Sequence, residues 1–373
     1  MSIPLVNLKR MHENLKDDIT QAVSEVYDRG DFILGKEVSE FEEKFAEYLG
    51  CKHVIGVSSG LDALKISLAA IGVGEKSNVI VPNNTFIATA FAVSSLGANI
   101  VLADCDETFN MNPSLANKIC DEMPIDAIIP VHMTGQAFDY GRLSGAIRRN
   151  ISIIEDACQA HGAKHGDSMC GTIGNAGCFS FYPGKNLGGI GDAGAISTNR
   201  DDIAAFARQY RHYGQDKKYS HCIKGGNCRM DTVQAAVLLQ KLKHLDTWNK
   251  KRRSVAKLYD EMIGYADLPV ELPERIVGCE HVFHLYMLRV EDLETRDALL
   301  AYLNENEVGA GIHYPITVSD SLAYGVDYSN GDCPVSRDIA NRIISLPCCP
   351  FIGESEQLTV VEHIIDFYNR REQ

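Results

Sequence analysis

Seven short apolar runs alternate with helix-like segments through the first two-thirds of this 373-residue chain. They are residues 54–59 (VIGVSS), 78–82 (NVIVP), 99–105 (NIVLADC), 127–132 (AIIPVH), 151–158 (ISIIEDAC), 176–181 (AGCFSF) and 193–199 (AGAISTN). Several are apolar on both faces, as a strand buried between two helix layers must be. Helical periodicity fills the gaps, for instance over 61–71 and 85–96. This alternation predicts an α/β fold, with a mostly parallel seven-stranded sheet between helices. Such sheets bind ligands beyond the carboxyl ends of their strands. A long amphipathic helix is expected from Asp231 to about Lys251, and the pattern turns irregular after it. The chain is therefore expected to divide near residue 245, into a large domain (1–245) and a smaller C-terminal α+β domain (246–373).

Composition narrows the function. No run reaches the ~18 apolar residues of a membrane helix, and the N-terminus lacks an apolar signal region. The expected location is the cytoplasm, with no membrane partner. The 12 cysteines are scattered without a CxxC, so neither a disulfide framework nor a metal site is expected. A net charge of −14 argues against nucleic-acid binding. One stretch runs against that balance. Arg208–Arg253 carries 12 Lys/Arg against three acids, a local +9. It reads either as a solvated helical face or as a site for an anion such as a diphosphate.

Five segments carry candidate chemistry. In Ser180-Phe-Tyr-Pro-Gly-Lys185-Asn-Leu-Gly-Gly, a strand runs into a glycine-rich loop holding one lysine. A lysine that forms a Schiff base needs an enclosed site where its amine loses its proton; the plainer reading is a surface lysine. In Ile154-Glu-Asp156-Ala-Cys-Gln159, Asp156 ends an apolar strand and needs a cationic or hydrogen-bonding partner, or else caps the next turn. In Gly56-Val-Ser-Ser59-Gly60-Leu61, a strand turns into a helix whose free N–H groups suit a phosphate, or merely an N-cap. Phe86 follows a strand end, placed either to stack on an aromatic ring or to fill the core. Asn227, in the Gly225-Gly226-Asn227 loop, faces an anion or caps a helix.

In this order and spacing, with Asp156 and Lys185 29 positions apart, the five segments resemble the fold-type I enzymes that use pyridoxal 5'-phosphate (PLP). More narrowly, the chain resembles the nucleotide-sugar aminotransferases of the DegT-like family, from about residue 4 to about 365. The resemblance implies an aspartate-aminotransferase-like fold and a role at each matching position. Lys185 would bond covalently to PLP and carry the proton. Asp156 would pair with the pyridine nitrogen and Gln159 with the ring hydroxyl. Ser59, Gly60 and Ser180 would bind the phosphate, and Phe86 would stack on the ring. Asn227 would reach the phosphate of the other subunit, which implies a homodimer with shared active sites. L-Glutamate would give its amino group to the enzyme, and a nucleotide-linked keto sugar would take it, in ping-pong order.

Tyr182-Pro-Gly-Lys185-Asn186, Tyr213-Gly-Gln-Asp-Lys-Lys218-Tyr219 and His313-Tyr314-Pro315 look most like the subgroup that aminates dTDP-3-keto-6-deoxyhexoses for surface polysaccharides such as O-antigen, or for other glycosides. By that likeness Tyr182, Tyr219, His313 and Tyr314 would line the sugar pocket and Lys218 would meet the diphosphate. Packing at a strand end is the other reading of His313-Tyr314. The chain departs from the subgroup at Ile316–Asp320, where a Pro and a His are common, and at Thr134, where an aromatic is common. Alternatives are a 4-keto or UDP-3-keto uronic acid aminotransferase, a PLP-dependent sugar dehydratase (whose branch has His in place of Lys185), and a PLP-fold regulatory protein without turnover.

Overall fold

The computed structural model describes residues 2–145, 149–324 and 333–371. Its main sheet has seven strands: β1 (His53–Val57), β2 (Asn78–Pro82), β3 (Asn99–Ala103), β4 (Ala127–Ile128), β5 (Ser152–Asp156), β6 (Ala176–Ser180) and β7 (Gly194–Thr198), in the order β1-β7-β6-β5-β4-β2-β3. Neighbours are parallel from β6 through to β3, and β7 runs antiparallel to both β1 and β6. Only β7 is reversed, so the carboxyl ends of β1, β2, β5 and β6 share one edge. Each of the seven apolar runs overlaps one of these strands.

Ile55, Val79, Val81, Ile154, Cys178 and Ile196 pack with the Gly60–Ala70 and Ala88–Ser94 helices on one face. On the other, Val54, Phe179 and Ala195 meet Phe41, Phe45, Ala235 and Leu238, while Ile80, Ala103 and Ile128 meet Ala116 and Phe138. A further core joins Ile3 to Val255, Tyr259, Leu288, Leu299, Ile344, Val360 and Ile364. It is centred on the antiparallel pair β8 (Tyr286–Arg289) and β9 (Ile343–Leu346). Among the described residues, no helix is long and apolar enough to cross a membrane.

Two expected elements differ. The helix expected from Asp231 to Lys251 is two helices, Thr232–Leu242 and Leu245–Ala266. The chain turns at Lys243–His244, so that Lys241 points inward to the Gly188 carbonyl at 2.6 Å and Trp248 packs against Met11 and Leu15. The strand expected over 127–132 keeps only Ala127–Ile128, because Pro130 has no N–H to continue the ladder. The basic stretch is not a uniform solvated face. Arg211, Lys241 and Arg252 are buried. Arg211 pairs with Glu42, and Arg252 Nη1 donates to the carbonyls of Phe283 and Cys348 at 3.3 and 2.5 Å. Lys217, Lys218 and Lys224 are exposed.

Candidate active site

The shared strand edge opens into a cavity of about 790 Å³. Ten of the thirteen residues singled out in the sequence line it: Ser59, Gly60, Phe86, Asp156, Gln159, Ser180, Tyr182, Lys185, His313 and Tyr314. The topology accounts for this. Ser59-Gly60 follows β1, Phe86 follows β2, Asp156 ends β5, and Ser180 ends β6 and leads into the Lys185 loop. Those strand ends lie side by side, so segments up to about 120 positions apart in sequence converge.

Lys185 sits in a turn whose N–H returns to the Tyr182 carbonyl at 2.9 Å. The loop needs its glycines. A Cβ on Gly188 would lie 2.3 Å from the Pro183 carbonyl oxygen. Lys185 Nζ donates to Gln159 Oε1 at 3.2 Å, and Tyr314 donates to the same oxygen at 3.1 Å. Gln159 Nε2 donates one of its two protons to the Met133 carbonyl. Burial depresses the Lys185 pKa, with Cys158 and Asp156 opposing the shift. The amine is thereby easier to deprotonate than an ordinary lysine. Burial, then the Lys185 charge, depresses the pKa of His161 to about 3 and of His313 to about 4.

Asp156 is 6 % exposed. One oxygen accepts from the Cys158 N–H at 3.2 Å and the other from the Thr89 hydroxyl at 2.8 Å. The turn-capping reading therefore holds, and lone pairs remain for a ligand. Thr85 continues the chain to Thr89 at 2.9 Å. Ser59 is an N-cap as well: its Oγ accepts from the Asp62 N–H at 3.1 Å. The Gly60–Ala70 helix so aims its positive end at the cavity. Gly60 is required by close packing, since a Cβ there would lie 2.7 Å from Cys158 Sγ and 2.9 Å from Ser180 Cβ. Phe86 is 54 % exposed and so is not core; its ring lies 5.4 Å from that of Tyr314. An amine of lowered pKa, a carboxylate with spare lone pairs, a helix N-terminus and an open aromatic face fit PLP end to end.

Three expected residues do not line this cavity. Lys218 and Tyr219 join the two strands of a small ribbon, Gln215–Lys217 and Ser220–His221, with the Lys218 ammonium 5.3 Å from the Tyr219 ring centre. Asn227 is exposed, bridged through its backbone to His212. The two points of departure also have places. Thr134 is buried against His281 Nε2 at 3.1 Å, and Ser319 is tied to Asn83 by hydrogen bonds of 2.9 and 3.1 Å. Sequence reasoning did not single out Thr85, Thr89, Cys158 or His284, all of which line the cavity. Thr85 lies just before the Ala88–Ser94 helix and Thr89 in its first turn, four positions on; no local pattern marks the pair.

Residues 13–365 match the model of the DegT/DnrJ/EryC1/StrS aminotransferase family. The chain is 38 % identical to a dTDP-3-amino-3,4,6-trideoxy-alpha-D-glucose transaminase of Streptomyces venezuelae, over 100 % of this chain and 97 % of that protein. It is 39 % identical to a dTDP-3-amino-3,6-dideoxy-alpha-D-galactopyranose transaminase of Aneurinibacillus thermoaerophilus (99 % of each). It is also 38 % identical to a protein of Geobacillus stearothermophilus named a pleiotropic regulatory protein (99 % of each). Its structure superposes on that of S. venezuelae DesV with a TM-score of 0.93, at 36 % identity and 98 % coverage of both chains. The fold is the aspartate-aminotransferase-like one that the motifs implied, and the chain belongs to the DegT/DnrJ/EryC1/StrS family of PLP-dependent aminotransferases.

Proposed function

We propose that this protein transfers the amino group of L-glutamate to a nucleotide-linked keto sugar, and that the sugar is a dTDP-3-keto-6-deoxyhexose, which becomes dTDP-3-amino-3,6-dideoxyhexose. One observation carries the chemistry: Lys185 and Asp156 line a single cavity that also contains the Ser59-Gly60 helix start. Bound PLP supplies an electron sink beside the carbon that exchanges its proton. The chain's own groups do the rest. Lys185 bonds to the cofactor and, once released, moves a proton at Nζ. Asp156 keeps the proton on the pyridine nitrogen, and Gln159 meets the ring hydroxyl. The N–H groups at Gly60, with Ser59 and Ser180, bind the phosphate, and Phe86 covers one ring face. Tyr182, His313 and Tyr314 take the sugar. Two relatives named as dTDP-3-amino sugar transaminases support the substrate class and the position of amination.

The same reading has Asn227 reach the partner's phosphate in a homodimer; Lys218 and Tyr219, which lie outside this chain's cavity, would then meet the diphosphate and sugar bound by the partner. Their exposure supports it, Tyr219 being 81 % exposed, as do the exposed Tyr27, Phe32, Ile33 and Tyr213. It also divides the chain near residue 245, with residues 246–373 as the smaller domain around the β8–β9 core. Incubation with glutamate and a panel of dTDP- and UDP-linked 3-keto and 4-keto sugars, read by mass spectrometry and NMR, tests the substrate. Amination of a 4-keto or UDP-3-keto uronic acid sugar alone would replace the dTDP-3-keto assignment. The relative named a regulatory protein keeps one other outcome open to test. Purified protein that is colourless with added PLP and unaltered by borohydride would make this chain a non-catalytic regulator.

A further inference from the structure

His284 lies on the cavity wall within a segment that has little freedom to move. The Val282 N–H donates to the Gly135 carbonyl at 3.0 Å and the Leu285 N–H to the Thr134 carbonyl at 3.2 Å. The Phe283 carbonyl accepts from buried Arg252 at 3.3 Å, and the Val282 carbonyl from Asn186 Nδ2 at 3.1 Å. Both sides of His284 are thus fixed to the rest of the protein.

The hydrogen bonds also fix which ring nitrogen carries the proton. Asn249 Nδ2 donates to the His161 carbonyl at 2.7 Å, and a carbonyl can only accept. Asn249 Oδ1 therefore faces Asn186 as an acceptor, at 2.9 Å from Asn186 Nδ2. Asn186 spends its second amide proton on the Val282 carbonyl, so Asn186 Oδ1 must accept as well. Its partner at 3.2 Å is His284 Nδ1, which must donate. Burial above all, and then the Lys185 and Arg252 charges, hold the ring neutral. A neutral imidazole protonated at Nδ1 has a bare lone pair at Nε2. Among the described residues Nε2 has no hydrogen-bond partner, while the ring lines the cavity. In the proposed site the wall acceptors Asp156 and Gln159 serve the cofactor ring, which leaves His284 Nε2 for the sugar.

We propose that His284 is a specificity-determining residue whose Nε2 accepts a hydrogen bond from a hydroxyl of the sugar substrate. The Asn249–Asn186 pair acts as a positioning relay that sets its tautomer. This rests on the keto-sugar reading of the cavity. A wall acceptor without a protein partner matches a ligand whose hydroxyls are donors, and rejects an analogue lacking that hydroxyl.

Two variants and one spectrum test it. His284→Leu removes the acceptor, and His284→Gln keeps one. With a sugar that the parent holoenzyme aminates, His284→Leu is expected to raise the sugar KM about tenfold. The glutamate KM should move much less, and His284→Gln should recover most of the loss. An unchanged sugar KM in His284→Leu, an equal rise in both KM values, or a loss confined to kcat overturns the assignment. Nitrogen-15 NMR of the histidine-labelled parent holoenzyme is expected to show His284 protonated at Nδ1 and bare at Nε2. The opposite tautomer overturns the proposal even if neither variant folds. If the parent aminates no keto sugar, the enclosing reading fails instead, and that outcome is distinct from the others.

Discussion

Gly60→Ala tests the proposed phosphate site with a single methyl group. The added Cβ would sit 2.7 Å from Cys158 Sγ and 2.9 Å from Ser180 Cβ, whereas non-bonded carbons rest at about 3.5–4.0 Å. Ser180 must therefore yield by roughly half an ångström and Cys158 by more. Overpacking of this kind costs about 1–3 kcal/mol. Gly60 begins a helix in ordinary helical backbone, so alanine returns at most about 1 kcal/mol of backbone entropy. At mid-range the net loss is between about 1 and 2 kcal/mol, from an overpacking cost of about 2 less a return of at most about 1, and it falls on the two residues that flank the helix start. The PLP dissociation constant, followed by cofactor absorbance, is expected to rise about tenfold, which corresponds to ~1.4 kcal/mol. The apo protein should melt a few degrees lower. Cys158→Ala removes the closer of the two contacts, so the double variant Gly60→Ala/Cys158→Ala should regain about half of the loss. Parental PLP affinity in Gly60→Ala would refute the close-approach argument. A loss that Cys158→Ala fails to relieve would refute its geometry.

Lys185→Met should abolish transamination and the covalent cofactor absorbance while the protein stays folded. Because burial lowers the folded Lys185 pKa, the unfolded chain holds more protons between that value and the free lysine value of ~10.4. Parent apo protein therefore gains stability as pH rises through that window. Lys185→Met should melt higher than the parent at pH 7, with the gap closing toward pH ~10.4, and a gap that widens with pH would contradict the shift. Asn227→Ala should weaken PLP retention in dialysis of the assembled protein, and unchanged retention would count against a site shared between subunits. Glu155→Gln turns an amide toward backbone donors and should destabilise by about 3 kcal/mol or more, measured by denaturant unfolding.

The sheet was legible because each buried strand is a short apolar run with its own turn signals, and strand ends on one edge gather whatever residues follow them. Lys185, Asp156 and Gly60 stood out for that reason. The break at Lys243–His244 was not legible, since no Gly or Pro occurs between Asp231 and Lys251 and only the tertiary pull on Lys241 and Trp248 ends the first helix. Nor was the His284 relay, which joins positions 186, 249 and 284 through side-chain amides. No local pattern marks partners so far apart. The exposure of Asn227, Lys218 and Tyr219 is a property of one chain, and a sequence motif does not say which subunit it serves.

Glu155 and Asp156 show why residue type at a strand end does not by itself name the chemical group. They are consecutive on β5, so their side chains leave opposite faces of the sheet. Glu155 is fully buried, and its oxygens accept from the N–H groups of Gly171, Ile173 and Gly174 at 2.8, 2.6 and 2.7 Å. The Tyr140 hydroxyl and His132 Nε2 add donors at 3.0 and 3.3 Å. The His132 proton is on Nε2, because Nδ1 accepts from the Phe138 N–H at 3.0 Å. That carboxylate has no capacity left for a ligand; it fastens the 171–174 turn beneath the sheet. Asp156, one residue on, has each oxygen only singly engaged and lines the cavity. Unspent hydrogen-bonding capacity, not acidity or burial, separates the carboxylate that can meet a cofactor from the one that holds the strand ends in place.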